Sequence, residues 1–316
     1  MTCLITGGAG FIGSHLVDTL IERGYSIRVL DNMSAGSESF IEDWRGHDRF
    51  EFFKGDITKH SDIEKTMKDC TIIYHLAANP EVRSWLASPE DHFKQNVEGT
   101  FNLLENIRKS NSITKLIFTS TSTVYGDVEI LPTTESYAPL KPISNYGASK
   151  LAAEALICSY ASMYGFQAII YRLANIVGPR SGHGVIYDFI EKLKKDSAKL
   201  EVLGDGTQSK SYLYVNDCIE GMIHGSETTK EKVEIYNIGS EDRITVMEIA
   251  EIVKKEMKME NAKIELTGGV DGGRGWKGDV KIMQLDMSKL KATGWTPKRS
   301  SAEAVRETAR HIAHPT

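Results

Sequence analysis

Cysteine is scarce in this sequence: Cys3, Cys70, Cys158 and Cys218 stand far apart and never as a CxxC pair. That excludes zinc ribbons and thioredoxin-like motifs. Scattered thiols in a chain of this size point to a reducing, cytoplasmic setting. The nine histidines are dispersed, with no HExxH and no Cys/His cluster, so no metal site is expected. No apolar run approaches the roughly 20 residues of a membrane-spanning helix. The opening MTCLITGGAGFIG is apolar, lacks a basic leader and is broken at once by glycines. It is expected to form a buried strand and turn rather than a signal peptide. Basic charge is not in excess, the formal net charge being −5. The lysine-rich stretches 192–199 and 254–258 are interrupted by acids and apolar residues and read as solvated helix faces. No nucleic-acid partner is therefore expected. No repeat, low-complexity tract or Pro/Gly/Ser-rich linker divides the 316 residues.

What is present is an alternation. Short β-rich runs fall at 3–6, 26–31, 50–54, 71–76, 115–120 and 168–172. Helical patterns at about 12–23, 62–68, 89–109 and 146–164 separate them. Strands alternating with helices predict parallel pairing through right-handed crossovers, hence a doubly wound α/β sheet. After residue 172 the alternation weakens. Helical stretches at about 185–195, 217–227 and 246–258 are separated by runs such as 212–215 and 235–238, and glycines crowd 267–278. The expected organisation is one domain over 1–172 plus about 212–240, and a smaller α/β C-terminal substrate lobe over about 173–211 and 241–316.

The segment Gly7-Gly8-Ala9-Gly10-Phe11-Ile12-Gly13 sits between the first strand and the first helix. Glycines in this position permit a tight turn, close backbone approach to a pyrophosphate and close helix–strand contact. The helix N-terminus then offers free N–H groups to phosphate. Asp31 ends the second strand, 18 residues after Gly13. An acid there accepts both hydroxyls of an adenosine ribose and repels a 2′-phosphate. No Arg or Lys follows it directly, which favours NAD over NADP. Asp56 and Ile57, after the third strand, are in place to frame the adenine. No Gly-Lys-Ser/Thr follows the glycines, so a P-loop is excluded. The sheet is thereby expected to be of the Rossmann type.

Tyr146 and Lys150, in YGASK, share one face of the long helix at i and i+4. A free phenol, with a pKa near about 10, is a poor base at neutral pH. A neighbouring ammonium favours the phenolate, and Lys150 can also hold the nicotinamide ribose. Five hydroxyls, Thr119 to Thr123, follow the fifth strand. Most are expected to satisfy turn backbone; one, at the sheet edge where ligands sit, is expected to meet a substrate oxygen.

With these residues in view, the chain resembles the extended short-chain dehydrogenase/reductases, and among them the UDP-glucose 4-epimerases. The likeness runs along essentially the whole chain: TGGAGFIG at 6–13, Asp31-Asn32, Asp56-Ile57, His75-Leu76-Ala77-Ala78, Asn96, STSTVYG at 120–126, Tyr146-xxx-Lys150, RLANIVGP at 172–179 and Gly204-Asp205-Gly206. It implies that Asn32, Leu76, Ala77, Ala78 and Asn96 join the cofactor site. It implies Tyr146 as base, Lys150 as its helper and Thr121 as the family's catalytic hydroxyl, with Thr123 beside the substrate. Asn175, Arg274 and Asp279 would meet the nucleotide diphosphate and ribose. Lys210 stands where these enzymes often carry arginine, a point charge in place of a fork, and Arg180 is a further basic residue of this region.

The resemblance implies a reaction in which the sugar 4-hydroxyl is oxidised on NAD and the 4-ketone, turned over, is reduced on its other face. Dehydrating relatives place an acid pair after the catalytic threonine, and decarboxylating ones a glutamate at its second position. Here these positions hold Ser122 and Thr123, which favours epimerisation, of UDP-glucose first and alternatively of UDP-glucuronate or a GDP- or dTDP-sugar. A non-catalytic NAD-binding sensor would have no need of an intact Tyr146 and Lys150. Met283 falls where the family gates its sugar pocket and disfavours N-acetyl sugars, though methionine is adaptable. A homodimer, paired through the helices at 89–109 and 146–164, is expected from the same resemblance.

Overall fold

A computed structural model describes residues 1–83 and 88–314. They fall into two compact units. The first comprises residues 1–124, 145–172 and 222–236; the second comprises 125–144, 173–221 and 237 onward.

Six strands of the first unit arise from the β-rich runs: β1 (Thr2–Thr6), β2 (Ser26–Asp31), β3 (Phe50–Lys54), β4 (Ile72–His75), β5 (Lys115–Thr121) and β6 (Gln167–Leu173). Val233–Ile238 supplies a seventh. The order across the sheet is Val233–Ile238, β6, β5, β4, β1, β2, β3. The ladders β3–β2, β2–β1, β1–β4 and β4–β5 are parallel. The central strands are buried on both faces, as continuous runs such as CLIT and LIFTST require. Helices α1 (Phe11–Glu22) and α2 (His60–Met67) are crossovers on the β2–β3 side. The chain then returns past β1 to β4, so the strand order reverses between β1 and β4. The carboxyl ends at this reversal are where an open α/β sheet binds ligands. One core cluster joins Leu4, Leu30, Ile73, Leu116, Phe118 and Ile170 to helix residues Leu103, Leu104, Ile107 and Ile157.

The helix expected over 89–109 is interrupted. Ser88 caps α3 (Pro89–His92) in a capping box with Asp91. Phe93–Glu98 winds as a π-helix before α4 (Gly99–Lys109) resumes α geometry. Thr100 Oγ1 donates to Asn96 O at 2.6 Å inside this wide turn. A Cβ on Gly99 would stand 2.6 Å from Ile57 Cδ1, so glycine permits the close approach of α4. The helix expected at 146–164 is α5 (Asn145–Tyr164).

In the second unit, helices Val185–Lys195, Val246–Glu256 and Ser301–Ala313 enclose Ile186, Phe189, Ile190, Ile249, Val253, Val305 and Ala309. Tyr212–Tyr214 pairs with Asn175–Val177, and Lys199–Val202 with Lys263–Leu266, both in parallel. A small sheet joins Ile244–Thr245, Ser209–Lys210 and Ile282–Met283. The unit boundaries differ from the 212–240 return expected from sequence. Strand Tyr212–Tyr214 belongs with Asn175–Val177 in the second unit, and residues 125–144 join it as well. Asn237 explains part of this: it accepts from Tyr125 at 2.7 Å and donates to Thr133 O at 2.8 Å. No described helix is long and apolar enough to cross a membrane.

Candidate active site

The glycine loop joins β1 to α1. Gly10 is the N-cap of α1 and makes no side-chain cap, which leaves the first N–H groups of the helix to a ligand. Two glycines are obligatory here. Gly7 has φ +73°, and a Cβ on Gly13 would stand 2.1 Å from Gly7 O. Phe11 and Ile12 open the helix. Asp31, buried at the end of β2, accepts from Ala9 N–H at 3.0 Å and Met33 N–H at 2.8 Å. Burial raises its carboxyl while these N–H groups oppose the rise. Such a glycine cradle, with a buried carboxylate at the neighbouring strand end, fits a dinucleotide with a free ribose diol. Leu76, Ala77 and Ala78 leave β4 beside the loop, Ala77 N–H donating to Thr6 Oγ1 at 3.3 Å.

Several expected cofactor residues are engaged inside the protein. Asn32 Nδ2 donates to Asp56 Oδ2 at 2.9 Å, and Thr58 donates its N–H and hydroxyl to Asp56 Oδ1, each at 2.8 Å. The Ile57 side chain lies in the core. Asn96 accepts from Asn79 N–H at 2.7 Å and donates to Ser149 Oγ at 2.9 Å and Asn79 O at 3.1 Å. It thus ties the loop after β4 to the YGASK turn of α5. Sequence reasoning placed Asn96 at the cofactor and missed this bracing.

Tyr146 and Lys150 lie one turn apart on α5. Thr121, at the end of β5, lies close enough for its side chain to favour the Tyr146 phenolate. Thr121 and Thr123 hydroxyls are 3.1 Å apart, and Thr123 N–H donates to Thr121 Oγ1 at 3.2 Å. Lys150 is buried with its Nζ 4.1 Å from the Phe118 ring centroid. The electrostatics differ from the sequence expectation. Burial pushes the Tyr146 phenol up to about 12, only partly offset by Thr121. Burial pulls Lys150 down to about 7, opposed by the charge of Glu154. Low dielectric penalises both ionised forms before the ammonium can favour the phenolate. His75 lies fully buried between Thr6 Oγ1 at 2.7 Å and Thr100 Oγ1 at 3.0 Å. Burial and Lys150 together drive its pKa down to about 3, so the imidazole is neutral.

The second unit gathers the distal charged residues. Lys210 Nζ pairs with Asp279 Oδ1 at 2.6 Å and lies 5.4 Å from the Trp276 ring centroid. Arg274 forks onto Asp127 at 3.0 and 2.8 Å and also donates to Asp279 O. Gln208 Oε1 and Trp276 Nε1 are buried there without a partner among the described residues. Asn175 Nδ2 donates to Ser211 O at 3.1 Å. Met283 is buried beside Lys210 in strand pairing with Ser209–Lys210. Arg180 follows strand Asn175–Val177 in the left-handed region, with φ +64°. Asp127, Gln208 and Trp276 carry no sequence signal of their own; only the folded unit reveals them.

A dinucleotide cradle at the reversal of a doubly wound sheet, with a half-buried Tyr146 and a buried Lys150 one turn apart on a long helix, defines an extended short-chain dehydrogenase/reductase. The chain belongs to the NAD dependent epimerase/dehydratase family, whose sequence model matches residues 3–239. A solved UDP-galactose 4-epimerase is 41% identical, with TM-score 0.88 and 99% of each chain covered. The UDP-glucose 4-epimerase of Thermotoga maritima, solved with UDP-glucose, is 32% identical, with TM-score 0.88 over 99% of this chain and 98% of that one. UDP-glucuronic acid decarboxylase 3 of Arabidopsis thaliana is 36% identical over 94% of this chain and 85% of its own length.

Proposed function

We propose that this protein is a 4-epimerase of a nucleoside-diphosphate sugar, with UDP-glucose and UDP-galactose as its substrate pair. The observation that carries this reading is the hydroxyl pair Thr121–Thr123 beside Tyr146. By the resemblance, dehydrating and decarboxylating relatives carry an acid in the two positions after Thr121, which here hold Ser122 and Thr123, whereas epimerisation only moves a hydride and a proton. The decarboxylase among the relatives is therefore disfavoured as a guide to activity.

When bound, NAD supplies the hydride acceptor and donor at C4 and a positive ring charge. Gly7, Gly10, Phe11, Ile12, Gly13 and Asp31 would hold its pyrophosphate and adenosine ribose. Lys150 would hold its nicotinamide ribose. Tyr146 takes the proton of the sugar 4-hydroxyl as the C4–H bond breaks, and the 4-ketone forms. Tyr146 would return that proton to the sugar oxygen once the ketone has turned over, so one residue serves both half-reactions. A phenol at about 12 in the protein alone becomes a base once neighbouring positive charge favours the phenolate. Thr121 donates to the sugar oxygen while charge develops on it. Lys210, Arg274 and Asp279 serve the nucleotide diphosphate and ribose. The orphaned Gln208 Oε1 and Trp276 Nε1 support a ligand there. A homodimer is part of this reading, through the outer faces of α4 and α5.

The test is a panel of sugar nucleotides followed by product NMR without added reductant. UDP-galactose is expected to give UDP-glucose. Carbon dioxide from UDP-glucuronate, with no 4-epimer from any substrate, would overturn the proposal.

A further inference from the structure

The buried face of α5 carries more than the acid–base pair. Glu154 stands one turn beyond Lys150, on the stripe that begins at Tyr146. It is 3% exposed, Lys150 2%, Arg172 3% and Ser120 2%. Arg172, on β6, places Nη2 2.8 Å from Glu154 Oε2 and Nε 3.2 Å from both carboxylate oxygens. Ser120, on β5, donates a short hydrogen bond to Oε1. Two strands thus fix one carboxylate beneath the catalytic turn. Ser120 adjoins Thr121 in the chain, so the same contact steadies the hydroxyl that meets Tyr146.

We propose that Glu154 is a positioning residue, a fixed buried carboxylate that serves as counter-ion to Lys150 as well as to Arg172 and keeps that lysine an ammonium. The assignment rests on Tyr146 and Lys150 being the acid–base pair. A buried Arg–Glu pair alone adds little stability over apolar residues of the same size, so a second task accounts for its place beside Lys150. Among the described residues, the other groups acting on the cluster bring no negative charge. His75, on β4, is held neutral. Cys158, one turn further along α5, has its thiol pushed up by burial and by Glu154. Arg172 is a cation. Against the burial that pulls Lys150 down, the charge that acts upward is that of Glu154.

The test titrates Lys150 directly, by NMR of the as-isolated protein labelled with carbon-13 at lysine Cε. Lys150→Met identifies the resonance. In Glu154→Gln the midpoint of Lys150 is expected to fall by about one pH unit, and the alkaline limb of turnover to move down with it. Glu154→Asp, which keeps the charge, is expected to stay near the wild type. Coincident midpoints in the wild type and Glu154→Gln, with only a loss of melting temperature, would overturn the proposal. If Glu154→Gln does not fold, the double variant Glu154→Gln/Arg172→Met removes the guanidinium that the lost carboxylate would leave unpaired. Its Lys150 midpoint is expected to fall below that of Arg172→Met alone, which carries the same loss of cation, and coincident midpoints in those two variants are again fatal. The two readings separate cleanly. A displaced midpoint in a protein that epimerises no sugar nucleotide leaves Glu154 assigned and removes the epimerase. An unmoved midpoint in an active epimerase does the reverse.

Discussion

Tyr146 and Lys150 set each other's charge only through what surrounds them. In the protein alone both ionised forms are penalised, the phenol standing at about 12 and the ammonium at about 7. Tyr146→Phe removes the proposed proton acceptor and little volume. It is expected to keep NAD binding and lose about a thousandfold in turnover; fluorescence titration and product NMR measure the two, and undiminished turnover would remove Tyr146 from its role. His75 gives a second prediction. Its folded pKa of about 3 lies below the ordinary value, so between about 6.5 and 3 the unfolded chain binds more protons than the folded one. Stability is therefore full above about 6.5 and falls with acidification by up to about 1.4 kcal/mol per pH unit from this group. Urea unfolding at stepped pH is expected to show that slope, and His75→Gln to flatten it. An equal slope in the variant would assign the acid sensitivity elsewhere. The i, i+4 relation of Tyr146 and Lys150 was readable in the sequence because it is local, four residues on one helix. The sequence could not disclose His75 between Thr6 and Thr100, or Glu154 against Arg172, because those contacts join residues distant in the chain.

Among the elements, those built from regular periods were legible and those built from short or irregular segments were not. The alternation of strands and helices to residue 172 was readable because each central strand is apolar on both faces and each helix starts after a turn. The π-helix Phe93–Glu98 was not, since its one extra residue per turn leaves the apolar spacing nearly helical. The small strands of the second unit, two to four residues long, offer no period. The helix Ser301–Ala313 was overlooked although Ser300-x-x-Glu303 marks its start: Glu303 N–H donates to Ser300 Oγ at 3.3 Å, and Ser300 N–H donates to Glu303 at 2.9 Å. Ser300→Ala is expected to lower stability by about 1 kcal/mol in urea unfolding, with activity unchanged. The glycine loop allows no such tolerance. Gly13→Ala would bring Cβ within 2.1 Å of Gly7 O and 2.8 Å of Gly8 Cα, so the turn must open. Loss of NAD binding by calorimetry is expected, and retained affinity would show that the loop does not hold the pyrophosphate.

At the scale of the whole molecule, the first unit has an apolar surface that its own fold does not cover. On the outer faces of the π-turn, α4 and α5, Phe93 is 61% exposed, Phe101 41%, Met163 70% and Tyr164 45%. The Phe101 and Tyr160 rings meet edge-on with centroids 6.4 Å apart, and Tyr160 and Tyr164 at 5.2 Å, so these three rings pack against one another. Large packed aromatics gathered on two adjacent helices are costly to leave in water and inexpensive to bury, because little side-chain freedom remains to be lost. A second copy presents the same patch, and a two-fold axis brings like against like. Sedimentation at micromolar concentration is expected to show a dimer whose stability changes little with salt, since apolar burial rather than charge drives it. Phe101→Glu/Met163→Glu, which places charge in that face while sparing the core and Tyr146 and Lys150, is expected to give a folded monomer that still binds NAD. A wild-type monomer at that concentration would leave these aromatics without the role assigned to them, whereas a dimer undisturbed by the charges would move the contact to another face.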